Sequence, residues 1–209
     1  AQCLYIHDFQ KQEVTFHKNV TIFLGYLKEE FNSDLIHSYI HPDDEDLVLR
    51  LIRAAVLYVS DRPAFEDGVF SLTYRVRKKD ESYLKVLRQS SVYETDQNGI
   101  MISNLSVLSD IGFIHSGQNV DWTFITKDYD EAEFRKYVGQ QYKTYFTPRE
   151  LEIIQWINEG MSSKDIANKH SISSHTVDTH RRKILKKAGC KNTIELLNFC
   201  NKIGVLRQN

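Results

Sequence analysis

The chain is predicted to fold as two domains, an α+β unit built on an antiparallel sheet and then an all-α unit of four helices. Three observations predict this. Up to about residue 109 the apolar residues alternate with a period of two, broken by short helical stretches; from Thr147 onward they recur at helical spacing behind hydroxyl-bearing starts. Charge divides at the same place, with 11 Lys+Arg against 6 Asp+Glu in residues 147–209, a net of +5, and 16 against 22 in residues 1–146, a net of −6. A length of 209 residues has room for both units.

The first domain is assigned to residues 1–125. Residues 4–8 and 13–17 alternate on either side of the polar break Gln10-Lys11-Gln12 and are read as a hairpin. Single helical turns are expected at 20–26 and 35–40. His41-Pro42-Asp43-Asp44 then opens a longer helix whose stripe runs through Leu47, Val48, Leu51, Ile52, Ala55, Val56 and Val59, its first-turn acids favouring the positive end of the helix dipole. From Phe65 the period returns to two: Phe70, Leu72, Tyr74 and Val76 form a strand, residues 77–82 a charged turn, and Leu84, Val86 and Arg88 to Val92 the return strand. Asp96-Gln97-Asn98-Gly99 is a second turn, with Asn98-Gly99 suited to positive φ, before a last long strand at 100–109. The total is five strands.

Residues 126–145 are expected to connect the domains through an amphipathic helix within 128–145, with Phe134, Tyr137, Val138 and Gln141 on one face. The second domain, 146–209, starts at Thr147-Pro148-Arg149-Glu150, a capping box with proline at the first helical position, followed by Leu151, Ile154 and Ile157 and ended by Gly160. Ser162-Ser163-Lys164-Asp165 repeats the box ahead of Ile166 and Ala167. Ser173 or Ser174 caps a third helix with Val177, Ile184, Leu185 and Ala188 on its apolar face, and residues 192–204, with Ile194, Leu197, Phe199 and Ile203, form a fourth.

A short helix, a tight turn and a longer basic helix make the helix-turn-helix plan, in which the second helix of the pair enters the major groove of DNA. On that helix His175, Asp178, Thr179, Arg182 and Lys186 share the face opposite Val177 and Ile184, which marks them as base-reading residues. Thr176, His180, Arg181, Lys183 and Lys164, with Ser174 and the amides at the helix start, flank it as phosphate-binding residues. His170, His175 and His180 do not converge on one face and are read as solvent or phosphate partners. The competing reading is three helices that bind a protein.

TPRELEII, EGMSSKDIA and SSHTVDTHRRKILKKAGCKN, in this order, resemble the LuxR-type (GerE/FixJ-like) helix-turn-helix of bacterial transcription regulators. Asp178 departs from the lysine frequent at its position in that family. A carboxylate there accepts from cytosine N4 or orients Arg182, so relatives' base preference does not transfer. In the first domain Phe23-Leu24-Gly25-Tyr26 and His41-Pro42-Asp43-Asp44 resemble signatures of PAS domains. Together the resemblances imply a cytoplasmic, sequence-specific regulator, not an enzyme, that binds double-stranded DNA as a homodimer and meets RNA polymerase, with its signal sensed or its pairing controlled by the PAS-like domain. Two alternatives are a PAS-like domain that only binds proteins and an enzymatic first domain.

Other chemistry finds little footing. No cofactor is identifiable: Cys3 lies far from the helical region where a light-sensing flavin PAS domain carries its cysteine, and a ligand of the PAS-like domain stays unnamed. Tyr74, Tyr83 and Tyr93 are read as sheet packing or as pocket lining. Asp43-Asp44 is read as dipole compensation rather than a phosphoacceptor pair, and His37 and His41, flanking the break at Pro42, lack an acid or cysteine to complete a metal site. Cys3, Cys190 and Cys200 are expected as free thiols, and no apolar run approaches the roughly 18 residues of a membrane span.

Overall fold

A computed structural model describes residues 2–62, 68–114, 120–127 and 129–206. Phe65 and Asp128, at the starts of two predicted stretches, lie outside the described residues. The chain divides into two compact units, Ala1–Asp130 and Glu131–Asn209.

The first unit is an antiparallel sheet with helices on one face. Its strands are β1 (Gln2–Asp8), β2 (Glu13–Lys18), β3 (Val69–Arg77), β4 (Tyr83–Thr95), β5 (Met101–Asp110) and β6 (Asp121–Ile125), ordered β2-β1-β5-β4-β3-β6. Helices α1 (Val20–Leu24), α2 (Ser33–Ser38) and α3 (Pro42–Ser60) lie between β2 and β3. The sixth strand is a correction to the expected five. At five residues β6 is too short for its alternation to stand out, and it becomes a strand by pairing along β3, Phe70 opposite Phe124 and Leu72 opposite Trp122. In the turn between β4 and β5 only Gly99 takes positive φ, +78°, while Asp96 Oδ1 accepts from the amides of Asn98 and Ile100 at 2.8 and 2.9 Å.

The start of α3 is tied to the sheet. Asp44, 3% exposed, accepts from Arg75 Nη2 at 2.6 Å, Arg75 Nε at 3.0 Å and the Arg75 amide at 2.9 Å, and Asp43 adds a 3.4 Å contact to the same guanidinium. Asp44 is therefore more than dipole compensation: it pins the helix to β3 by a forked charged bond, the geometry a guanidinium and a carboxylate make best. His41 Nδ1 caps α3 by accepting from the Asp43 amide at 3.1 Å.

Strand parity decides which side chains face α3. Phe70, Leu72, Tyr74 and Val76 of β3 and Val86 and Arg88 of β4 point inward; Tyr83 and Tyr93, of the opposite parity, are 47% and 53% exposed, so of the three tyrosines only Tyr74 is interior. One inward row runs from Tyr5 through Ser106 and Ser90 to Phe70 and Phe124. Two serines at its centre leave space where large apolar residues would fill the layer. Beside them Arg88, 6% exposed, donates from Nε and Nη2 to Ser106 Oγ at 3.2 and 3.1 Å. Among the described residues no carboxylate pairs with it, and burying a lone ion costs several kcal/mol. Burial pushes the phenols of Tyr39 and Tyr74 above their ordinary range, so neither supplies a counter-charge.

The second unit holds α4 (Glu131–Gln141), α5 (Pro148–Asn158), α6 (Ser163–His170), α7 (Ser174–Lys187) and α8 (Thr193–Lys202). Phe134 and Val138 of α4 are fully buried and Tyr142 is 2% exposed, its ring edge-on to Phe199 at 5.9 Å. A Cβ at Gly139 would sit 3.5 Å from the Ile203 carbonyl oxygen, so α4 rests directly on the backbone at the end of α8. The apolar residues of α8 divide unequally between core and surface. Leu196, Cys200 and Ile203 are buried, Leu197 and Phe199 are half-buried and Ile194 is 73% exposed. Likewise α5 buries Ile153 with Ile154 and Ile157, leaving Leu151 half-exposed. All three cysteines are free thiols, and burial pushes Cys3 and Cys200 up to about 12. No described helix is long and apolar enough to cross a membrane.

Candidate nucleic-acid interface

Each helix from α5 to α8 begins at a side chain that satisfies a free amide. Thr147 Oγ1 accepts from the Glu150 amide at 3.2 Å while Glu150 Oε2 accepts from the Thr147 amide at 2.8 Å, and Ser162 and Asp165 repeat the exchange at 3.2 and 3.0 Å. Ser173 Oγ, rather than Ser174, caps α7 by accepting from the Thr176 amide at 3.0 Å, and Asn192 Oδ1 caps α8 at 2.9 Å. Such caps contribute about 1 kcal/mol each and set where each helix starts. Between α6 and α7, Ser171 takes the left-handed conformation, φ +52°, and turns the chain.

The core below α7 consists of Ile153, Ile154 and Ile157 of α5, Ile166 and Ala167 of α6, and Val177 and Ile184 of α7 itself. Glu150 at the start of α5 accepts from Lys187 Nζ at the end of α7, 2.8 Å away. Burial works against the Glu150 charge, but Lys187 and the Thr147 amide outweigh it and hold the carboxyl below its ordinary value. The Lys187 ammonium also lies 5.5 and 5.6 Å from the Tyr145 and Phe146 rings, and its carbonyl accepts from the Tyr145 hydroxyl. This bond between α5 and α7 is absent from the sequence reading because 37 residues separate its partners.

The predicted site residues fall into three groups. Ser174, His175, Thr176, Asp178, Arg182, Lys183 and Lys186 of α7 are exposed, as is Lys164 of α6. Thr179 and His180 are half-exposed, and Thr179 Oγ1 donates back to the His175 carbonyl at 2.9 Å. Arg181 points elsewhere: its guanidinium donates to Ser163 Oγ at 3.2 Å and Thr193 Oγ1 at 3.3 Å, joining the starts of α6 and α8. Among the described residues no acid pairs with Lys164, Lys183 or Lys186. Asp178 has no cationic partner there either; Arg182 Nε approaches its backbone carbonyl at 3.4 Å, not its carboxylate.

His170 is a correction. Its ring stacks on Trp156, centroids 3.6 Å apart and planes 23° from parallel, and its Nε2 is buried without a partner among the described residues, so it packs α6 against α5 instead of meeting solvent or phosphate. An aromatic partner fourteen positions away is not visible to helical periodicity.

Residues 144–200 match the family described as bacterial regulatory proteins, luxR family, and residues 13–108 match the PAS fold. Among curated proteins, the uncharacterized response regulatory protein YgeK of Escherichia coli K12 is 44% identical over 59 residues, 28% of this chain and 40% of that protein. The DNA-binding transcriptional activator EvgA of the same strain is 34% identical over 67 residues, 31% of this chain and 33% of that protein. The chain thus spans between a third and two fifths of these relatives' length. Among solved structures, a Vibrio cholerae VqmA–ligand–DNA complex is similar over 99% of this chain and 85% of its own, at 13% identity and a TM-score of 0.36.

Proposed function

We propose that this chain, which carries a PAS fold followed by a regulatory domain of the bacterial luxR family, is a sequence-specific transcription regulator that works in the cytoplasm and reads double-stranded DNA through α7. The observation that carries the reading is the outer strip of α7, where His175, Asp178, Arg182 and Lys186 recur at helical spacing, exposed, on a helix fixed from below by Val177 and Ile184. Long polar side chains held on a rigid rod are what base readout in a major groove requires. Lys164 and Lys183 flank the strip as point charges for phosphates, with the uncapped amides at the start of α7.

The chain acts as a homodimer on a two-fold operator, with exposed Ile194 on α8 available to a second copy, and it engages RNA polymerase from the bound site. Arg181 belongs to the framework and not to the contact set, because both of its bonds run inward. The reading has no catalytic step. Selection of duplexes from a random pool tests it: the full chain should enrich a two-fold symmetric motif, and Arg182→Ala should relax one base pair in each half. Enrichment of no motif, or of the same motif unchanged by Arg182→Ala, contradicts it.

A further inference from the structure

The guanidinium of Arg181 donates from Nη1 to Ser163 Oγ at 3.2 Å and from Nη2 to Thr193 Oγ1 at 3.3 Å, two neutral hydroxyls that open α6 and α8. Among the described residues no acid pairs with it. The first-turn acids of those two helices serve their own turns: Asp165 accepts from the Ser162 amide at 3.0 Å and Glu195 from the Lys191 amide at 2.7 Å. The charge therefore lies beside two helix starts, where the dipoles are positive and a cation is disfavoured. A hydroxyl that accepts from a guanidinium turns its proton away from that charge, and each serine or threonine has one such proton to give. Neither proton has an acceptor among the described residues. Ser163 and Thr193 are both half-exposed, within reach of a ligand, and Lys164 and Lys191, close to them in sequence, are exposed with no acid partner among the described residues.

We propose that Ser163 and Thr193 donate to one phosphate of the DNA backbone, and that Arg181 orients their protons and supplies the positive charge behind them. Arg181 serves the phosphate through the hydroxyls instead of touching it, which makes it a positioning residue and the two hydroxyls the contacts. Bound to the two terminal nitrogens of a single guanidinium, the hydroxyls are held side by side for one tetrahedral anion to accept from both. A donor whose oxygen already accepts from a cation is polarised, and a bond to an ionised acceptor is stronger than one to a neutral acceptor. The anion also completes the charge that the protein leaves unpaired. Such a contact fixes where the protein sits on the duplex and carries no sequence information, so it works apart from the outer strip of α7. The inference rests on the reading of the chain as a DNA-binding regulator and adds these three residues to it.

The test measures the affinity of the full chain for the duplex it selects, for a scrambled duplex of equal length, and for selected duplexes in which one phosphate of each half is replaced by an uncharged methylphosphonate. Ser163→Ala and Thr193→Val should each weaken binding about tenfold, equally on selected and scrambled duplexes. Methylphosphonate should weaken the wild type at several positions; both variants should become indifferent to it at one position, the same for both, and keep the other effects. Arg181→Met should share that indifference, which a mere loosening of the helices would not produce. The hydroxyl variants decide the outcome where Arg181→Met fails to fold, because the caps of α6 and α8 are Ser162 and Asn192 and stay in place. A wild-type methylphosphonate profile in either hydroxyl variant or in folded Arg181→Met, indifference at two different positions, or a loss confined to the selected duplex overturns the proposal. A wild type that binds neither duplex contradicts the regulator reading, whereas wild-type binding with an unaltered profile in the variants contradicts this inference alone.

Discussion

Asp178 is an acid on an otherwise basic, exposed strip of α7, and among the described residues its carboxylate holds no neighbour in place. Of its two readings, direct acceptance from a base and orientation of Arg182, we propose the first, because Arg182 Nε approaches the backbone carbonyl of Asp178 and not its carboxylate. Asp178→Ala should leave non-specific DNA binding equal or tighter, by removing repulsion, while relaxing preference at one base pair by about 1–3 kcal/mol. Binding-site selection with the variant checks this; an unchanged motif removes Asp178 from the readout. Glu150 does a different job, capping α5 and pairing with Lys187. Its folded pKa lies below the ordinary 4.5, so its contribution is complete above about 4.5 and is lost as pH falls through the folded value. Glu150→Gln should cost about 1 kcal/mol at neutral pH, and the Tm gap from wild type should close on acidification; a gap that widens contradicts the assignment. In the first unit, Asp44→Asn removes the charge that Arg75 forks onto and leaves the guanidinium only its 3.4 Å contact to Asp43, which should cost about 1–3 kcal/mol, measured by urea unfolding.

Elements carry the clearest contrast between what the sequence declares and what packing decides. The four helices after Thr147 were legible because each start is written in local chemistry, a hydroxyl or amide followed three residues later by an acid or an amide to satisfy. Faces were less legible. Periodicity alone does not choose between Leu151 and Ile153, nor does it foresee that α8 buries Leu196, Cys200 and Ile203 and leaves Ile194 exposed. Arg88 was legible as a strand residue but not as a buried one: its charge gives no sign of burial, and it faces inward because it shares the parity of buried Val86. The α4–α8 contact is testable. Gly204 has φ +70° and a Cβ there would meet the Arg135 carbonyl oxygen at 3.2 Å, whereas Gly160 has φ +80° and open space around it. Gly204→Ala should therefore destabilise the second unit more than Gly160→Ala, which bears the backbone strain alone, about 1 kcal/mol. Equal losses in thermal denaturation would show that α4 does not press on α8.

At the scale of the whole molecule, α4 belongs to the compactness of the second unit as much as to any connection, since Phe134, Val138 and Tyr142 are all buried there. A fragment of residues 131–209 should fold and melt higher than one of residues 144–209, which gives up burial worth roughly 1.5–3 kcal/mol per large apolar side chain. Either fragment should bind DNA more weakly than the full chain if pairing is driven by the first unit. The central claim, that α7 and its flanking lysines hold duplex DNA, is tested most directly by the affinity of the full chain for a selected duplex as salt is raised. The account predicts a steep linear fall of log affinity with log salt, its slope reduced by about 0.9 in Lys183→Ala and again in Lys164→Ala. A slope that neither substitution changes would contradict it.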